Sequence, residues 1–373
     1  MKLVHTAILR ADDTSLELAV AALRSSKVVA MPTETVYGLA GVSFDETALA
    51  SIFAVKERPT FDPLICHVAP LQGPADVALA EAGLLDFAKL TPSARIRLLK
   101  LTETFWPGPL TVVIPRSSRV PDLVTSGLDT VGVRCPAHPI AQELLRCVNA
   151  PLSAPSANRF GRVSPTTAAH VLEELGGRIE IILDGGPATI GIESTVVAVS
   201  DPPQVLRPGS ISESRIAKLL GERVITAKPN AALAQVSPGM LDRHYAPSKT
   251  FVRLPQPVCS LANAAIEALR GLVAQKEGPL GLITVLGDPN AAAARLTELV
   301  ERDVFAHSLS PTGDTAEAAR NLFRTLRLLD STAAALLVAE PMRDEDGLLH
   351  AIADRLNRAT TPLAQTGCHI EFT

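Results

Sequence analysis

Two neighbouring stretches of the chain set hydroxyls, two cations and an imidazole between short apolar segments. The first is PTETVYGL at 32–39, and the second is KERP at 56–59, which is followed by His67. An arginine offers a planar fork for a phosphate or carboxylate group, and a lysine offers a mobile point charge. The grouping therefore suits a ligand with both phosphate and amino-acid character.

Each of these residues also has a purely structural interpretation. Lys56 and Arg58 follow an apolar helical pattern, so they could simply be exposed charges that favour the C-terminal end of a helix. A histidine in an apolar run, as His67 is, more often serves as a satisfied core residue than as a ligand. Thr33 and Thr35 could be strand-end or capping hydroxyls. Further polar motifs along the chain favour the functional interpretation.

Two of these motifs follow in the middle of the chain. Thr130, Gly132 and Arg134 share one face of an expected strand, because side chains alternate with a period of two. A buried arginine on a strand is rare without a partner, and an internal ion pair would also explain it. The segment SAPSAN at 153–158 is a hydroxyl-rich turn of small residues, which allows a ligand to approach the backbone closely.

Ser164 stands immediately before Pro165, which predicts a helix N-cap with proline at the first helical position. A helix N-terminus also attracts anions, so capping and phosphate binding are compatible. The segments GIEST at 191–195 and LRPG at 206–209 add a pair of hydroxyls and another cation.

Length and composition limit the possible classes of protein. The chain has 373 residues, which predicts about two domains, and its 47% hydrophobic and 20% charged residues are ordinary for a globular protein. The net charge of −4 argues against strong, sequence-independent binding of nucleic acid. The five scattered cysteines form no C-x-x-C pair, which favours a reducing cytoplasm over a zinc site or a disulfide framework. Neither a signal peptide nor a membrane-spanning apolar run is expected.

Short apolar strands alternate with amphipathic helices up to residue 226, which favours an α/β domain with a mixed sheet. Helices are expected at 14–26, 139–148 and 166–175, and strands at 28–31, 110–114, 131–134, 179–183 and 195–199.

Residues 227–249 break this pattern and predict a linker, because they contain prolines and lack periodicity. Arg243, His244 and Tyr245 are unusual in a plain spacer, so we expect this linker to fold over bound substrates as a lid. Residues 250–373 predict a smaller, doubly wound parallel domain whose role the sequence does not reveal. Its strands are expected at 251–254, 280–286, 304–309 and 333–339, and its helices at 261–275, 291–302, 314–329 and 349–358.

The chain contains no P-loop, no nucleophile elbow and no H-E-x-x-H motif. Its ordered blocks closely resemble the threonylcarbamoyl-AMP synthase family, which has a YrdC-type fold, in the long two-domain form. The resemblance is strong over about residues 8–250 and continues only in length and α/β pattern beyond them. The matching blocks are PTETVYGL (32–39), KERP (56–59), PL and H (63–67), WPGPLT (106–111), TVGVR (130–134), SAPSAN (153–158), SPT (164–166), GIESTV (191–196), LRPG (206–209), and SPGM with RHYAP (237–247).

This resemblance implies that L-threonine, bicarbonate and ATP are converted into L-threonylcarbamoyladenylate and pyrophosphate. The product would serve the threonylcarbamoyl modification of the adenosine beside the tRNA anticodon, through downstream transfer proteins. A carbamate formed on threonine would attack the α-phosphate, so no protein nucleophile is needed. Catalysis would come from positioning and from cations, with Mg²⁺ held mostly by ATP oxygens and water.

The resemblance also implies roles for single residues. L-Threonine would contact Thr35, His67, Arg134, Ala154 and Ser194, with its carboxylate on Arg134. ATP would be surrounded by Lys56, Arg58, Asp62, Thr130, Ser156, Ser164 and Arg207, with Tyr245 reaching back from the linker. Lys56 and Arg58 are the expected catalytic cations. Asp62 departs from the family, which more commonly has asparagine, and its carboxylate would repel phosphates unless it binds the ribose, the base or the metal region.

Two other functions remain as alternatives. A non-catalytic RNA-binding module of the same fold is disfavoured by the acidic charge balance and the lack of a basic stripe. A carbamoyl-transfer maturation enzyme shares the fold but carries acylphosphatase-like and zinc-finger segments, for which this chain has no room.

Overall fold

A computed structural model describes residues 3–226, 245–342 and 347–365. The chain forms two compact units, one of Met1–Phe160 with Ser164–Asp242 and the other of Gly161–Val163 with Arg243–Thr373. The expected domain boundaries at 226 and 250 stay predictions. Most of the expected lid, including Arg243 and His244, lies outside the described residues.

The first unit is built on an eleven-stranded mixed sheet. Its strands are β1 (Ala7–Arg10), β2 (Val29–Met31), β3 (Gly38–Val42), β4 (Ile65–His67), β5 (Leu110–Pro115), β6 (Thr130–Arg134), β7 (Leu152–Ser153), β8 (Ile181–Asp184), β9 (Thr195–Ala198), β10 (Gln204–Arg207) and β11 (Ile225–Thr226). They lie in the order β1-β8-β2-β3-β7-β4-β6-β5-β9-β10-β11. The helices are α1 (Asp13–Arg24), α2 (Glu46–Lys56), α3 (Ala75–Glu81), α4 (Pro92–Phe105), α5 (Asp122–Thr125), α6 (Pro139–Val148), α7 (Ala168–Leu175) and α8 (Glu213–Leu220), with a 3₁₀ turn at Phe87–Lys89.

In the middle of this sheet, one face is apolar and the other carries polar side chains. On one face, Cys66, Val112 and Val133 belong to the large aliphatic core. On the other face, the strands β2, β3, β7 and β8 pack against α1 and α6 in a second apolar cluster. The neighbouring strands β4, β6 and β5 place polar side chains on that second face, as described below.

Helix α7 begins later than the sequence predicts. Its N-cap is Thr167, whose hydroxyl accepts a hydrogen bond from the His170 amide at 3.2 Å. The carbonyls of Pro165 and Thr166 accept bonds from Tyr37 and Ala188 instead, which holds this segment outside the helix. The prediction that Ser164 is the N-cap is therefore wrong.

The second unit is a five-stranded sheet in the order β14-β13-β15-β12-β16, and its strand pairs are parallel. The strands are β12 (Phe251–Arg253), β13 (Leu280–Leu286), β14 (Val304–Ser310), β15 (Leu336–Ala339) and β16 (Thr361–Pro362). The helices are α9 (Asn263–Ala274), α10 (Asn290–Val300), α11 (Thr315–Ser331) and α12 (Leu348–Ala359), with 3₁₀ turns at Val258–Ser260 and Leu363–Gln365. The predicted fold class, a mixed-sheet α/β domain followed by a smaller doubly wound domain, is confirmed. Within the ranges given above, the helices are too short or too polar to cross a lipid bilayer.

Candidate active site

Three adjacent strands place polar residues side by side on the second face of the large sheet. His67 of β4 lies opposite Arg134 of β6, and Arg134 lies opposite Thr111 of β5. Side chains of paired residues point to the same face, and neighbouring strands are about 5 Å apart. These three residues, with Thr130 and Gly132 of β6, form what we call the floor of the site.

Arg134 is the best-anchored residue of the floor, with only 4% of its surface exposed. Its Nη1 donates to Thr35 Oγ1 at 2.8 Å and its Nε to the Gly108 carbonyl at 3.2 Å. Its Nη2 lies 2.6 Å from Glu34 Oε1. The internal ion pair that the sequence left open is therefore present, and its partner Glu34 was missed although it stands between the two threonines of the first motif.

Charge and burial fix the protonation states around Arg134. Burial is the largest single influence and raises the pKa of Glu34, but the charge of Arg134 and the nearby hydrogen-bond donors together outweigh it, so the pKa is lowered and Glu34 is ionised at neutral pH. Burial, and then the charge of Arg134, lower the pKa of His67 to about 3. The imidazole is therefore neutral. Its Nδ1 lies 3.2 Å from the Ile65 carbonyl, which can only accept, so this nitrogen carries the proton.

A second network connects the floor to β9 and β10. Thr111 Oγ1 lies 2.8 Å from Ser194 Oγ. Arg207 donates from Nε to the Ser194 carbonyl at 3.1 Å and from Nη2 to Ser194 Oγ at 3.0 Å. A Cβ at Gly209 would lie 2.4 Å from the Thr195 nitrogen, so only glycine allows these two loops to approach so closely. A residue predicted for threonine and one predicted for ATP are thus in direct contact.

Lys56 ends α2, as one interpretation of the sequence predicted, but it is only 1% exposed. Its Nζ donates to the carbonyls of Ser156 and Asn158, both at 2.5 Å. Burial, and then the charge of Arg58, push its pKa well below the ordinary value. The alternative interpretation, an exposed helix-end charge, is therefore wrong for Lys56, whose side chain holds the turn at 153–158. Ala154 of that turn is also fixed, by a bond from its amide to the Ile65 carbonyl at 3.0 Å.

Arg58 is buried as well, and it forms an ion pair with Asp62 at 2.8 Å. Its Nε and Nη2 also donate to the carbonyls of Asp62 and Pro63, at 3.1 and 2.8 Å. The alternative interpretation as an exposed charge is thus wrong for Arg58 too. The acidic residue that departs from the family's usual asparagine is placed to neutralise Arg58.

This pair makes Asp62→Asn an informative substitution. We expect it to destabilise the protein by roughly 3 kcal/mol, because it removes the charge of the buried carboxylate that lies 2.8 Å from Arg58. If the ATP phosphates lie on Arg58, as the resemblance implies, ATP should bind several-fold more tightly, since the phosphates would no longer compete with a carboxylate for this guanidinium. Thermal unfolding and calorimetric titration with ATP measure the two effects. Weaker ATP binding by Asp62→Asn would show instead that the carboxylate assists the nucleotide.

The remaining predicted residues lie in separate places. Ser164 is fully buried and donates to Glu193 Oε1 at 2.5 Å, and Glu193 is a further buried residue that sequence reasoning missed. Thr130 is half-buried at the start of β6, about 13 Å along the strand from Arg134. Tyr245 lies in the second unit, 1% exposed, where its ring is 5.4 Å from that of Phe323. Its contact with ATP stays a prediction.

Comparison with known proteins gives matches along nearly the whole chain. Residues 21–209 match a family model described as "Telomere recombination", which covers Sua5, YciO and YrdC proteins, and residues 211–361 match "Threonylcarbamoyl-AMP synthase, C-terminal domain". A threonylcarbamoyl-AMP synthase of Pyrococcus abyssi is 38% identical over 94% of this chain and 95% of its own length. One of Bacillus subtilis is 34% identical over 94% of each.

A solved structure shows the same arrangement of secondary structure. The crystal structure of P. abyssi Sua5 complexed with L-threonine aligns with a TM-score of 0.77 and 36% identity, covering 95% of this chain and 97% of that one. Two family models and full-length relatives above 30% identity agree with the blocks found in the sequence. The chain belongs to the threonylcarbamoyl-AMP synthase family.

Proposed function

We propose that the site in the first unit joins L-threonine, bicarbonate and ATP into L-threonylcarbamoyladenylate, with release of pyrophosphate and water. The observation that carries this proposal is the buried Arg134 fork, held between Thr35 and Gly108 beside a neutral His67. Such a fork matches a carboxylate in geometry and charge. The relative solved with L-threonine and the synthase names of the full-length relatives support it.

The order of residues along the floor suggests where each of the two substrates binds. We assign the threonine carboxylate to Arg134 and the nucleotide to the other end of β6, near Thr130. Gly132 lies between them without a side chain, and a Cβ there would sit 3.3 Å from Thr111 Cγ2. We assign the meeting point of the carbamate and the α-phosphate to the surface above this glycine.

The chemistry then needs positioning and charge rather than a protein nucleophile. A carbamate oxygen attacks the α-phosphorus, and the bond from that phosphorus to pyrophosphate breaks. Arg58 and Arg207 are the cations we assign to the phosphates, and Lys56 acts by holding the turn that carries Ser156.

Mg²⁺ is part of this proposal as a neutraliser of phosphate charge. Within the described ranges, no group of three or more His, Cys, Asp or Glu side chains could hold a metal ion. We assign the ion mainly to phosphate oxygens and water, as is common for Mg²⁺. The mixed anhydride product would pass to proteins that transfer the threonylcarbamoyl group to tRNA.

Omitting each substrate in turn tests this function. Pyrophosphate release should require L-threonine, bicarbonate and ATP together, and should stop when any of the three is left out. Mass spectrometry should detect the adenylate in the complete reaction. Pyrophosphate release that does not depend on threonine, or tRNA binding without any adenylate formation, would contradict the proposal.

A further inference from the structure

The floor contains buried polar atoms whose hydrogen-bonding capacity is not used. Arg134 Nη2 and both carboxylate oxygens of Glu34 are buried and make no aligned hydrogen bond among the described residues. The two groups are only 2.6 Å apart, so their charges interact although the geometry of a good hydrogen bond is missing. Unsatisfied buried polar atoms are rare in native proteins and need an explanation.

A ligand with one acceptor and one donor group would satisfy all three atoms. In an α-amino acid zwitterion the carboxylate and the ammonium are bonded to the same carbon, so the two charged groups must bind at adjacent positions in the site. If the carboxylate lies on Arg134, the ammonium must come to rest among the groups that surround this guanidinium. These groups are Glu34, Thr35, the Gly108 carbonyl and, on the adjacent strand, His67.

Of these neighbours, only Glu34 carries a negative charge. The His67 imidazole is neutral, and Thr35 already accepts a hydrogen bond from Arg134 at 2.8 Å. A carboxylate next to a guanidinium gives the pocket no net charge but a strong local dipole. That charge pattern complements a zwitterion and disfavours a simple carboxylate anion, which would meet Glu34 without a compensating cation.

We propose that Glu34 binds the ammonium group of the amino-acid substrate and makes the site selective for zwitterions over anions. This inference rests on the proposed function, because it takes threonine to be the ligand of Arg134. It adds a specificity residue to that site. Glu34 and Arg134 then act together, since Glu34 binds the ammonium group and Arg134 binds the carboxylate of the same amino acid.

The test compares two ligands that differ only in the ammonium. L-Threonine and 3-hydroxybutanoate share the carboxylate and the hydroxyl, but the second lacks the amino group. Calorimetric titration of the full-length wild-type protein should show at least about 100-fold tighter binding of threonine. In Glu34→Gln, threonine should bind at least about 30-fold more weakly, 3-hydroxybutanoate should bind as well as or better than before, and the ratio should fall to about threefold.

Asp76→Asn is the matched control, because Asp76 is also a buried carboxylate with an arginine partner, Arg95. This pair joins α3 to α4. It should leave the ratio of the two affinities unchanged. If Glu34→Gln fails to fold, Glu34→Asp keeps the charge and should keep the discrimination with weaker binding of threonine.

The outcomes distinguish a failure of the role of Glu34 from a failure of the proposed function. Wild-type discrimination that persists in Glu34→Gln, or an equal loss for both ligands, would overturn the role of Glu34 and leave the proposed function intact. Loss of discrimination in Glu34→Asp would overturn it as well. Failure of the wild-type protein to bind threonine, together with no threonine-dependent pyrophosphate release, would overturn both proposals.

Discussion

Replacing Arg134 with alanine should remove measurable threonine binding. The guanidinium is buried, and losing one partner of a shielded, charged hydrogen-bonded pair costs about 2–5 kcal/mol, which corresponds to roughly 30- to 5,000-fold in affinity. ATP binding should remain near normal, because we place the nucleotide at the opposite end of β6. Titration of the variant with threonine and with ATP measures both effects.

The fold must be monitored in the same experiment. Arg134→Ala leaves Glu34 buried without its counter-charge, which is expected to cost about 3 kcal/mol of unfolding free energy. Arg134→Lys keeps the charge but loses the planar fork, so it should restore stability more than affinity. Near-normal threonine binding in folded Arg134→Ala would refute the assignment of the carboxylate.

Lys56→Met should lower both stability and turnover. The methionine fills a similar volume but cannot donate to the carbonyls of Ser156 and Asn158, so two hydrogen bonds are lost, at about 1 kcal/mol each. The turn at 153–158 should then shift, and a misplacement of about 1 Å in a positioned substrate can cost about 100-fold in rate. Chemical denaturation and pyrophosphate release measure the two losses.

Lys27→Met is the comparison for this variant, because Lys27 is exposed and pairs with an exposed carboxylate at 2.7 Å. It should change neither quantity appreciably. Loss of turnover by Lys56→Met at full stability would indicate that Lys56 contacts phosphate directly. Loss of stability with full turnover in the folded fraction would show that the turn does not position the substrates.

The sequence predicted the regular elements of the second unit well. Strand β13 has the expected bounds, Leu280–Leu286, and α11 occupies Thr315–Ser331 where 314–329 was expected. In the first unit, β1, β4, β10 and β11 were not predicted, and neither were the two neighbouring strands β3 and β7. Strand β3 is a glycine-containing run of small residues, and β7 is only two residues long, so neither has enough periodicity to be recognised. Their pairing is fixed by the neighbouring strands.

The site was predictable as a set of residue types but not as a set of partners. The period-two argument correctly placed Thr130, Gly132 and Arg134 on one face of β6. It could not show that Arg134 pairs with Glu34, because this contact joins residues 100 positions apart in the chain. Lys56 was misjudged for the same reason. Its partners lie in the turn at 153–158, and a helix-end rule considers only the residues nearby in sequence.

The strand β6 also fixes the distance between the two ends of the site. From Arg134 to Thr130 the strand extends about 13 Å, and an extended strand is stiff along its length. In an amino acid whose amine stands one carbon farther from its carboxylate, the nitrogen would be displaced from the position where it can react with the other substrates. We therefore expect the protein to tolerate changes in the amino-acid side chain more readily than a longer backbone between carboxylate and amine.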